Sequence, residues 1–201
     1  VILPENIFLK KLQIRCKKVG ALLIFDEIQT GMGRAGEVFA FEHYSVMPDI
    51  LCLAKAFGGG MPLGAFISSK RIMSTLSHNP VLGHITTFGG HPLSCVAGNA
   101  AFKEIKKQKV KERIKKGELF KKLLVHPKIK EVRGEGLLLA VQFSSEKENK
   151  AIIAKCVELG VITDWFLFNS SSMRIAPPLT ISEKEIRKAC EIILKCIDEV
   201  S

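Results

Sequence analysis

The order of apolar and polar residues predicts alternating helices and strands over the first hundred residues. Residues 8–20, FLKKLQIRCKKVG, place apolar side chains at helical spacing and end in Gly20, a residue type common just after helix C-termini. Strands are predicted for three short, mostly apolar runs: ALLIFDE (21–27), DILCLAKA (49–56) and LGAFISS (63–69). The continuous run in ALLIFDE is typical of a parallel strand covered on both faces. A longer helix, PLSCVAGNAAFKEIKK, is expected to start at Pro92, because proline suits the first helical position.

The pattern changes after residue 107, and the second half predicts an α+β unit. Single strands are predicted for EVRGEGLLLAVQF (131–143), VITDWF (161–166) and SMRIAPPL (172–179). One amphipathic helix is predicted for KAIIAKCVELG (150–160) and another near the end of the sequence. In that last helix Thr180 or Ser182 is the expected N-cap, and Ser182 with Glu185 has capping-box spacing. We therefore expect a domain boundary near residue 107, between an α/β unit and an α+β unit.

Positive charge is concentrated in one stretch of the chain. The net charge is +10, and residues 103–130 hold twelve Lys and Arg against three Glu. Clustered lysines suit phosphate backbones, so nucleic-acid binding that is lost on neutralising Lys106, Lys107, Lys115 and Lys116 is one alternative. We favour a solvated helix face and no nucleic-acid partner, because apolar residues recur through the stretch and no aromatic platform accompanies the lysines.

Cysteine usage and the lengths of apolar runs limit the class of protein further. The six cysteines include no CxxC pair and no Cys/His spacing typical of a metal site. We therefore expect no metal, and reduced thiols in a cytoplasmic protein. No apolar run reaches about 18 residues, so no membrane span is expected.

Residues that could carry chemistry follow two of the predicted strands. Asp26 and Glu27 end ALLIFDE, at the strand end where α/β folds bind ligands. They could be a carboxylate beneath a cationic heterocycle, a nucleotide-binding acid or a simple helix cap, and the nucleotide interpretation lacks a GxxxxGK[ST] phosphate loop. Lys55 follows the next strand, either as a surface lysine or as an amine made nucleophilic by desolvation. Glycines 58–60 would let the backbone approach a cofactor.

A further group of candidates precedes the helix that is expected to start at Pro92. The hydroxyls of Thr86 and Thr87, the bare amides of Gly89 and Gly90 and the helix dipole suit a phosphate dianion. A hydroxyl turn that only caps this helix is the alternative. An acid, an amine and an anion cradle together indicate a phosphorylated, carbonyl-bearing cofactor with a cationic ring. Pyridoxal phosphate (PLP) is such a molecule.

Four segments, in this order, resemble the blocks of one enzyme family. The segments LLIFDEIQTGMGRAG, DILCLAKAFGGGMPLGAF, GHITTFGGHPLSCVAG and MRIAPPLTISEKEI resemble those of class III PLP-dependent aminotransferases of the ornithine, acetylornithine and 4-aminobutyrate type. The resemblance covers residues 1–201. It implies the α/β fold of the fold-type I PLP-dependent transferases. Residues 1–107 would be the C-terminal part of the large, mostly parallel PLP-binding domain, and 108–201 the small C-terminal α+β domain with its connecting helices.

The resemblance implies cofactor roles for four residues. Lys55 matches the catalytic lysine that forms a Schiff base with PLP, and Asp26 matches the acid that binds the pyridine nitrogen. Gln29 matches the glutamine near the 3-oxygen of the ring. Thr87 matches the threonine that reaches the phosphate from the neighbouring subunit, which implies a homodimer with shared active sites.

Two more residues are implied in substrate binding. Arg174 matches the arginine that grips a substrate carboxylate, a task for which a guanidinium fork is suited, although a surface strand arginine is the alternative. Thr86 occupies a position that touches substrate in relatives. The implied activity transfers an amino group from an amino acid or ω-amine to a 2-oxo acid, with 2-oxoglutarate as the expected acceptor. An aminomutase, racemase or decarboxylase of the same class would keep Lys55 and Asp26, so these activities stay alternatives.

The resemblance also implies that part of the pocket is missing. The family's N-terminal half supplies a glycine-containing phosphate loop, a ring-stacking aromatic residue and a second substrate-binding arginine, and the 201 residues contain no counterpart of it. We therefore expect the chain to be a fragment, either a piece of a complete enzyme or an inactive truncated remnant. Most residues that choose the amino donor are expected in the missing half.

Overall fold

The chain divides into two compact units. A computed structural model describes residues 1–81 and 84–200, so Gly83, where the predicted GHITTFGGHP loop begins, lies outside the described residues. We call Pro4–Gly33 with Glu37–Gln108 the N-terminal unit, and Val1–Leu3, Arg34–Gly36 and Lys109–Ser201 the C-terminal unit. The assignment of 1–107 and 108–201 to a large and a small domain stays a prediction.

The N-terminal unit is built on a three-stranded sheet. Its strands are β1 (Ile24–Asp26), β2 (Ile50–Leu53) and β3 (Ala65–Ser68), in that spatial order. β1 pairs with β2 in parallel and β3 runs antiparallel to β2. All three predicted strands are therefore present. The expectation that β1 is covered on both faces is wrong for the described residues, because the Ile24 side chain is 55% exposed and no residue of β1 itself is buried.

Helices and short turns complete the N-terminal unit. The helices are α1 (Asn6–Val19), α2 (Lys70–Met73) and α3 (Pro92–Lys107), and 3-10 turns span Ala40–Tyr44, Lys55–Gly58 and Ser74–Ser77. Gly20 takes a left-handed φ of 71° and its amide bonds to carbonyls of the last turn of α1, which confirms the predicted C-cap. Pro92 occupies the start of α3, as predicted.

The C-terminal unit contains a four-stranded antiparallel sheet. Its spatial order is β4 (Glu131–Glu135), β5 (Leu138–Gln142), β7 (Asn169–Ile175) and β6 (Asp164–Phe166). The prediction of one strand over 131–143 is wrong, because the chain reverses at Gly136 and Leu137 and β4 pairs with β5 as a hairpin. Gly136 has a φ of +54°, the left-handed conformation that such a two-residue turn needs.

Three helices pack with this sheet around a single apolar core. They are α4 (Val110–Leu123), α5 (Glu146–Glu158) and α6 (Glu183–Glu199). The core joins strand residues such as Leu139 and Met173 to helix residues such as Ile197, all at or near 0% exposure. The predicted capping box of α6 is confirmed, since Ser182 Oγ accepts from the Glu185 amide at 3.2 Å and Glu185 Oε2 accepts from the Ser182 amide at 2.7 Å. Within 1–81 and 84–200, no helix is long and apolar enough to cross a bilayer.

Candidate active site

Two of the predicted site residues lie at the same edge of the N-terminal sheet. Asp26 is the last residue of β1, and Lys55 follows β2 as the first residue of the 3-10 turn Lys55–Gly58. Since β1 and β2 are parallel, their carboxyl ends meet at one edge, where α/β sheets bind ligands. The register pairs Asp26 with Cys52, three positions before Lys55. Both the carboxylate and the amine are exposed, so this edge offers an acid and an amine to a ligand.

The loop after β1 holds the Asp26 side chain in place. Asp26 Oδ1 accepts a hydrogen bond from the amide of Ile28 at 2.9 Å, which orients the carboxylate against the backbone of its own loop. Gln29 comes one residue later, exposed, in the same turn. The sequence therefore presents Asp26 and Gln29 from one short segment at the strand end.

Lys55 adopts an unusual backbone conformation. Its φ is 50°, in the left-handed region that costs a residue with a Cβ about 1–2 kcal/mol. The preceding residue, Ala54, is extended, so the chain turns sharply where β2 ends. Non-glycine residues held in this region cluster at functional sites, where the surrounding structure enforces the conformation. Met32, Ser45 and Asn79 also have a positive φ, so this conformation supports a role for Lys55 only together with its position at the end of β2.

The glycines after Lys55 have a packing role that the sequence did not reveal. A Cβ on Gly59 would lie 2.5 Å from the carbonyl oxygen of Ala97 in α3, and one on Gly98 would lie 2.7 Å from the carbonyl oxygen of Phe57. The turn and the helix therefore approach each other so closely that side chains are excluded at both glycines. Gly60 has a φ of +95°, and a Cβ there would meet nothing within 4 Å. Its backbone conformation, and not close packing, is therefore the reason for glycine at this position.

The loop that contains Thr86 and Thr87 makes a tight turn before α3. The amide of Gly89 donates to the Thr86 carbonyl at 3.3 Å, and the amide of His91 donates to the Phe88 carbonyl at 3.2 Å. A Cβ on Gly89 would lie 2.4 Å from Thr86 Oγ1, so a side chain there would make the Thr86 hydroxyl rotate away. Both threonines are exposed, and the N-cap of α3 is His91, without a side-chain cap hydrogen bond. The interpretation that the threonine hydroxyls cap this helix is therefore wrong, and anion binding by this loop stays a prediction.

Glu27 has a structural role that distinguishes it from Asp26. It is 4% exposed, and its carboxylate accepts from Thr30 Oγ1 at 2.9 Å and from the amides of Ala40 and Phe41, both at 2.8 Å. Glu27 therefore caps the turn Ala40–Tyr44, as the helix-cap alternative foresaw. Successive residues of an extended strand point to opposite sides. This alternation could have distinguished Asp26 from Glu27 in the sequence alone.

Arg174 belongs to the C-terminal unit, in β7. Its guanidinium forms an ion pair with Asp164, its register partner in β6. The Thr163 hydroxyl donates to the Arg174 carbonyl at 2.6 Å, which ties the end of β7 to the segment before β6. Arg174 and Asp164 line a cavity of about 400 Å³. The sequence analysis identified Arg174 but not its acidic partner.

A second arginine supports the segment that follows Arg174. Arg34 Nη1 donates to the carbonyls of Leu137 and Pro177, at 3.2 and 2.5 Å. Burial lowers the pKa of Arg34, and the positive charge of Arg174 lowers it further. Arg34 thus fixes the backbone three residues beyond Arg174, a role the sequence analysis missed because the two arginines are 140 positions apart in sequence.

Comparisons with known proteins agree on one family. The chain matches the family described as aminotransferase class-III over residues 1–197. It is 44% identical over 203 residues to a putrescine aminotransferase of Pectobacterium atrosepticum, covering 97% of this chain and 42% of that protein. An ornithine aminotransferase structure from Plasmodium yoelii superposes with a TM-score of 0.89 at 32% identity, covering 100% of this chain and 55% of that one. An ornithine aminotransferase structure from Toxoplasma gondii, with partial occupancy of PLP at its active site, superposes with a TM-score of 0.87 at 33% identity. That match covers 98% of this chain and 48% of the other one.

These matches confirm the predicted fold class and the resemblance. The chain has the α/β fold of the fold-type I PLP-dependent aminotransferases. It spans 42% of the length of the curated relative and about half the length of the solved ones. Proteins of this family use PLP as their cofactor. Since the family match extends over nearly the whole sequence, the chain belongs to the class III aminotransferase family.

Proposed function

We propose that the protein is a PLP-dependent aminotransferase that moves an amino group from an amine or amino acid to a 2-oxo acid, with 2-oxoglutarate as the acceptor. One observation carries the proposal. Asp26 and Lys55 lie at the carboxyl ends of adjacent parallel strands, and Lys55 is held at a left-handed φ of 50°. Their presence in a chain of the class III family gives that arrangement a specific chemistry.

The residues present fit PLP. A carboxylate at Asp26 suits a protonated pyridine nitrogen, and the primary amine of Lys55, which is exposed and therefore accessible, can condense with an aldehyde. The exposed hydroxyl of Thr87, before the N-terminus of α3, suits a phosphate, and Gln29 is proposed beside the 3-oxygen of the ring. When bound, PLP supplies an electron-withdrawing ring that weakens a C–H bond of the substrate amine.

The chain's own residues would bind, orient and move protons. Asp26, oriented by the Ile28 amide, would keep the ring nitrogen protonated by accepting its hydrogen bond. Lys55 Nζ would take a proton from the substrate carbon and return it, as general base and then general acid. Arg174 would bind a substrate carboxylate through its guanidinium fork, and Thr86 would contact the substrate.

Donor, assembly and location are part of the same proposal. The putrescine and ornithine enzymes among the relatives are named for substrates that both carry a terminal primary amine, so we propose a donor with such an amine. A homodimer in which Thr87 serves the neighbouring subunit follows from the family resemblance. We propose a cytoplasmic location, because all six cysteines are free thiols, as is usual in that reducing compartment.

The test is Lys55→Ala in the intact protein expressed from its own gene. Transamination to 2-oxoglutarate should fall by at least about 10²–10⁴-fold, because the proton-transferring amine is lost. Lys70→Ala removes an exposed lysine of the same unit and should leave the rate unchanged. Borohydride reduction followed by peptide mass spectrometry should locate PLP on Lys55. Turnover that survives in Lys55→Ala, or PLP attached to another lysine, contradicts the assignment.

An aminomutase, racemase or decarboxylase is separated by its products. Only an aminotransferase forms glutamate from 2-oxoglutarate in amounts that match the oxidised donor. A protein that consumes a donor without forming glutamate would support one of these alternatives.

A further inference from the structure

The short loop that follows β1 is hydrogen-bonded on both sides of Gln29. Before Gln29, the amide of Ile28 donates to Asp26 Oδ1 at 2.9 Å. After it, Thr30 Oγ1 donates to Glu27 Oε2, also at 2.9 Å. Gln29 itself is exposed, and its side chain forms no hydrogen bond with any residue that the structure describes. The place from which Gln29 offers its amide group is therefore fixed by its two neighbours in the chain.

Glu27, which accepts the hydrogen bond of the Thr30 hydroxyl, is itself held firmly. Its carboxylate is 4% exposed and also accepts from the amides of Ala40 and Phe41, both at 2.8 Å. The Glu27 amide donates to the Cys52 carbonyl of β2 at 3.0 Å, which extends the pairing of β1 with β2 by one bond. Hydrogen bonds to an ionised acceptor are roughly twice as strong as those between neutral groups. The Thr30 hydroxyl therefore ties the loop to a carboxylate that the sheet and the following turn hold in place.

We propose that Thr30 is a positioning residue that, through its hydrogen bond to Glu27, holds Gln29 beside the 3-oxygen of PLP. This inference rests on the proposed function, in which Lys55 carries PLP and Gln29 lies at that oxygen. An amide N–H of Gln29 that donates to the 3-oxygen favours negative charge there and lowers the pKa of the bound cofactor. Without the Thr30 hydroxyl the loop loses its bond on one side of Gln29, so the amide occupies that place for less of the time.

The test is Thr30→Val in the intact protein loaded with PLP, because valine keeps the shape of threonine and lacks the hydroxyl donor. A pH titration of the visible absorbance of the protein gives the pKa of the bound cofactor. Gln29→Ala, which removes the amide itself, should raise this pKa by about one unit, and Thr30→Val should raise it by at least about half a unit. Thr30→Ser keeps a hydroxyl and should restore the wild-type pKa. Thr30→Ala, which adds no branched apolar side chain, should repeat the effect of Thr30→Val.

A double variant and a matched single variant serve as controls. If Thr30 acts through Gln29, then Thr30→Val should add nothing to the pKa of Gln29→Ala, because the group that it positions is already gone. Thr75→Val removes another threonine hydroxyl of the N-terminal unit, one that donates to the Ile72 carbonyl at 2.7 Å. It should leave the pKa of the bound cofactor unchanged.

The outcomes separate this inference from the proposed function. A wild-type pKa in Thr30→Val or in Gln29→Ala, or a Thr30→Val shift that persists in full without Gln29, overturns the inference while transamination through Lys55 still stands. A protein that carries no PLP on Lys55 overturns the proposed function and this inference with it. A raised pKa that Thr30→Ser reverses, and that disappears in the Gln29→Ala background, supports the inference.

Discussion

The two units of the chain differ in how completely they bury their apolar side chains. Sixteen residues of the C-terminal unit form one buried core in which strand and helix side chains interlock. In the N-terminal unit the buried apolar residues are few among those described: Leu23, Met32, Val46, Leu51 and Leu53. Large apolar side chains such as Phe66, Phe88 and Val96 are exposed there, between 48% and 79%. Extensive exposed apolar surface is typical of a surface that packs against another part of a protein.

The proposed cofactor residues lie in the unit that buries fewer apolar side chains. The C-terminal unit encloses its own apolar core, whereas the described contacts of the N-terminal unit include the polar contacts of Glu27 and the close backbone approach at Gly59, beside apolar surface that this unit leaves uncovered. The proposed cofactor residues Asp26 and Lys55 lie in the less packed unit, on loops at strand ends. Loops supported by a sheet are common places for functional side chains.

The largest expected effect compares one phenylalanine from each unit. Phe143 is 0% exposed in the C-terminal core, so Phe143→Ala should lower the free energy of unfolding by about 3–5 kcal/mol through lost burial and the cavity left behind. Phe66, 48% exposed in β3, should cost about 1 kcal/mol when changed to Ala. Urea titration monitored by circular dichroism measures both. Equal losses would show that the apolar surface around Phe66 is covered in solution.

An intermediate effect is expected for the buried acid of the N-terminal unit. Glu27→Gln replaces one acceptor oxygen by an amide group that faces backbone N–H donors, so the free energy of unfolding should fall by about 1.5–3 kcal/mol. Glu42→Gln is the matched control, because the exposed Glu42 accepts one amide hydrogen bond, from Phe39 at 2.9 Å. Its loss should stay below about 1 kcal/mol. A Glu27 effect no larger than that of Glu42 would mean that polar contacts do not hold this unit.

The smallest expected effect is a gain in stability at the proposed catalytic residue. Glycine takes a φ near 50° without the penalty that a Cβ brings, so apo Lys55→Gly should be about 1 kcal/mol more stable than apo Lys55→Ala. Thermal unfolding of the two variants measures the difference, and the shared loss of the lysine cancels in it. A more stable alanine variant would indicate that Lys55 is not strained in solution.

Much of the fold could be predicted because local patterns determined it. The helices α1, α3 and α6, the cap at Gly20 and the capping box of Ser182 and Glu185 all depend on residues within about one turn of each other. The three strands of the N-terminal unit were recognisable as short apolar runs. The hairpin in 131–143 was missed because its two-residue turn is short and its second residue, Leu137, already begins the apolar run of β5, so that only Gly136 separates the two strands.

The sequence by itself determined the family, through motifs in a fixed order. It also determined the candidate cofactor- and substrate-binding residues: Asp26, Gln29, Lys55, Thr86, Thr87 and Arg174. Only the tertiary structure decided that Asp26 and Lys55 share one sheet edge, since strand pairing joins residues 29 positions apart. It also decided that Glu27 turns inward to cap another segment, and that Asp164 stands opposite Arg174. Local sequence patterns report on neighbours along the chain, whereas the charge a ligand meets depends on register between strands, which packing of the whole sheet determines.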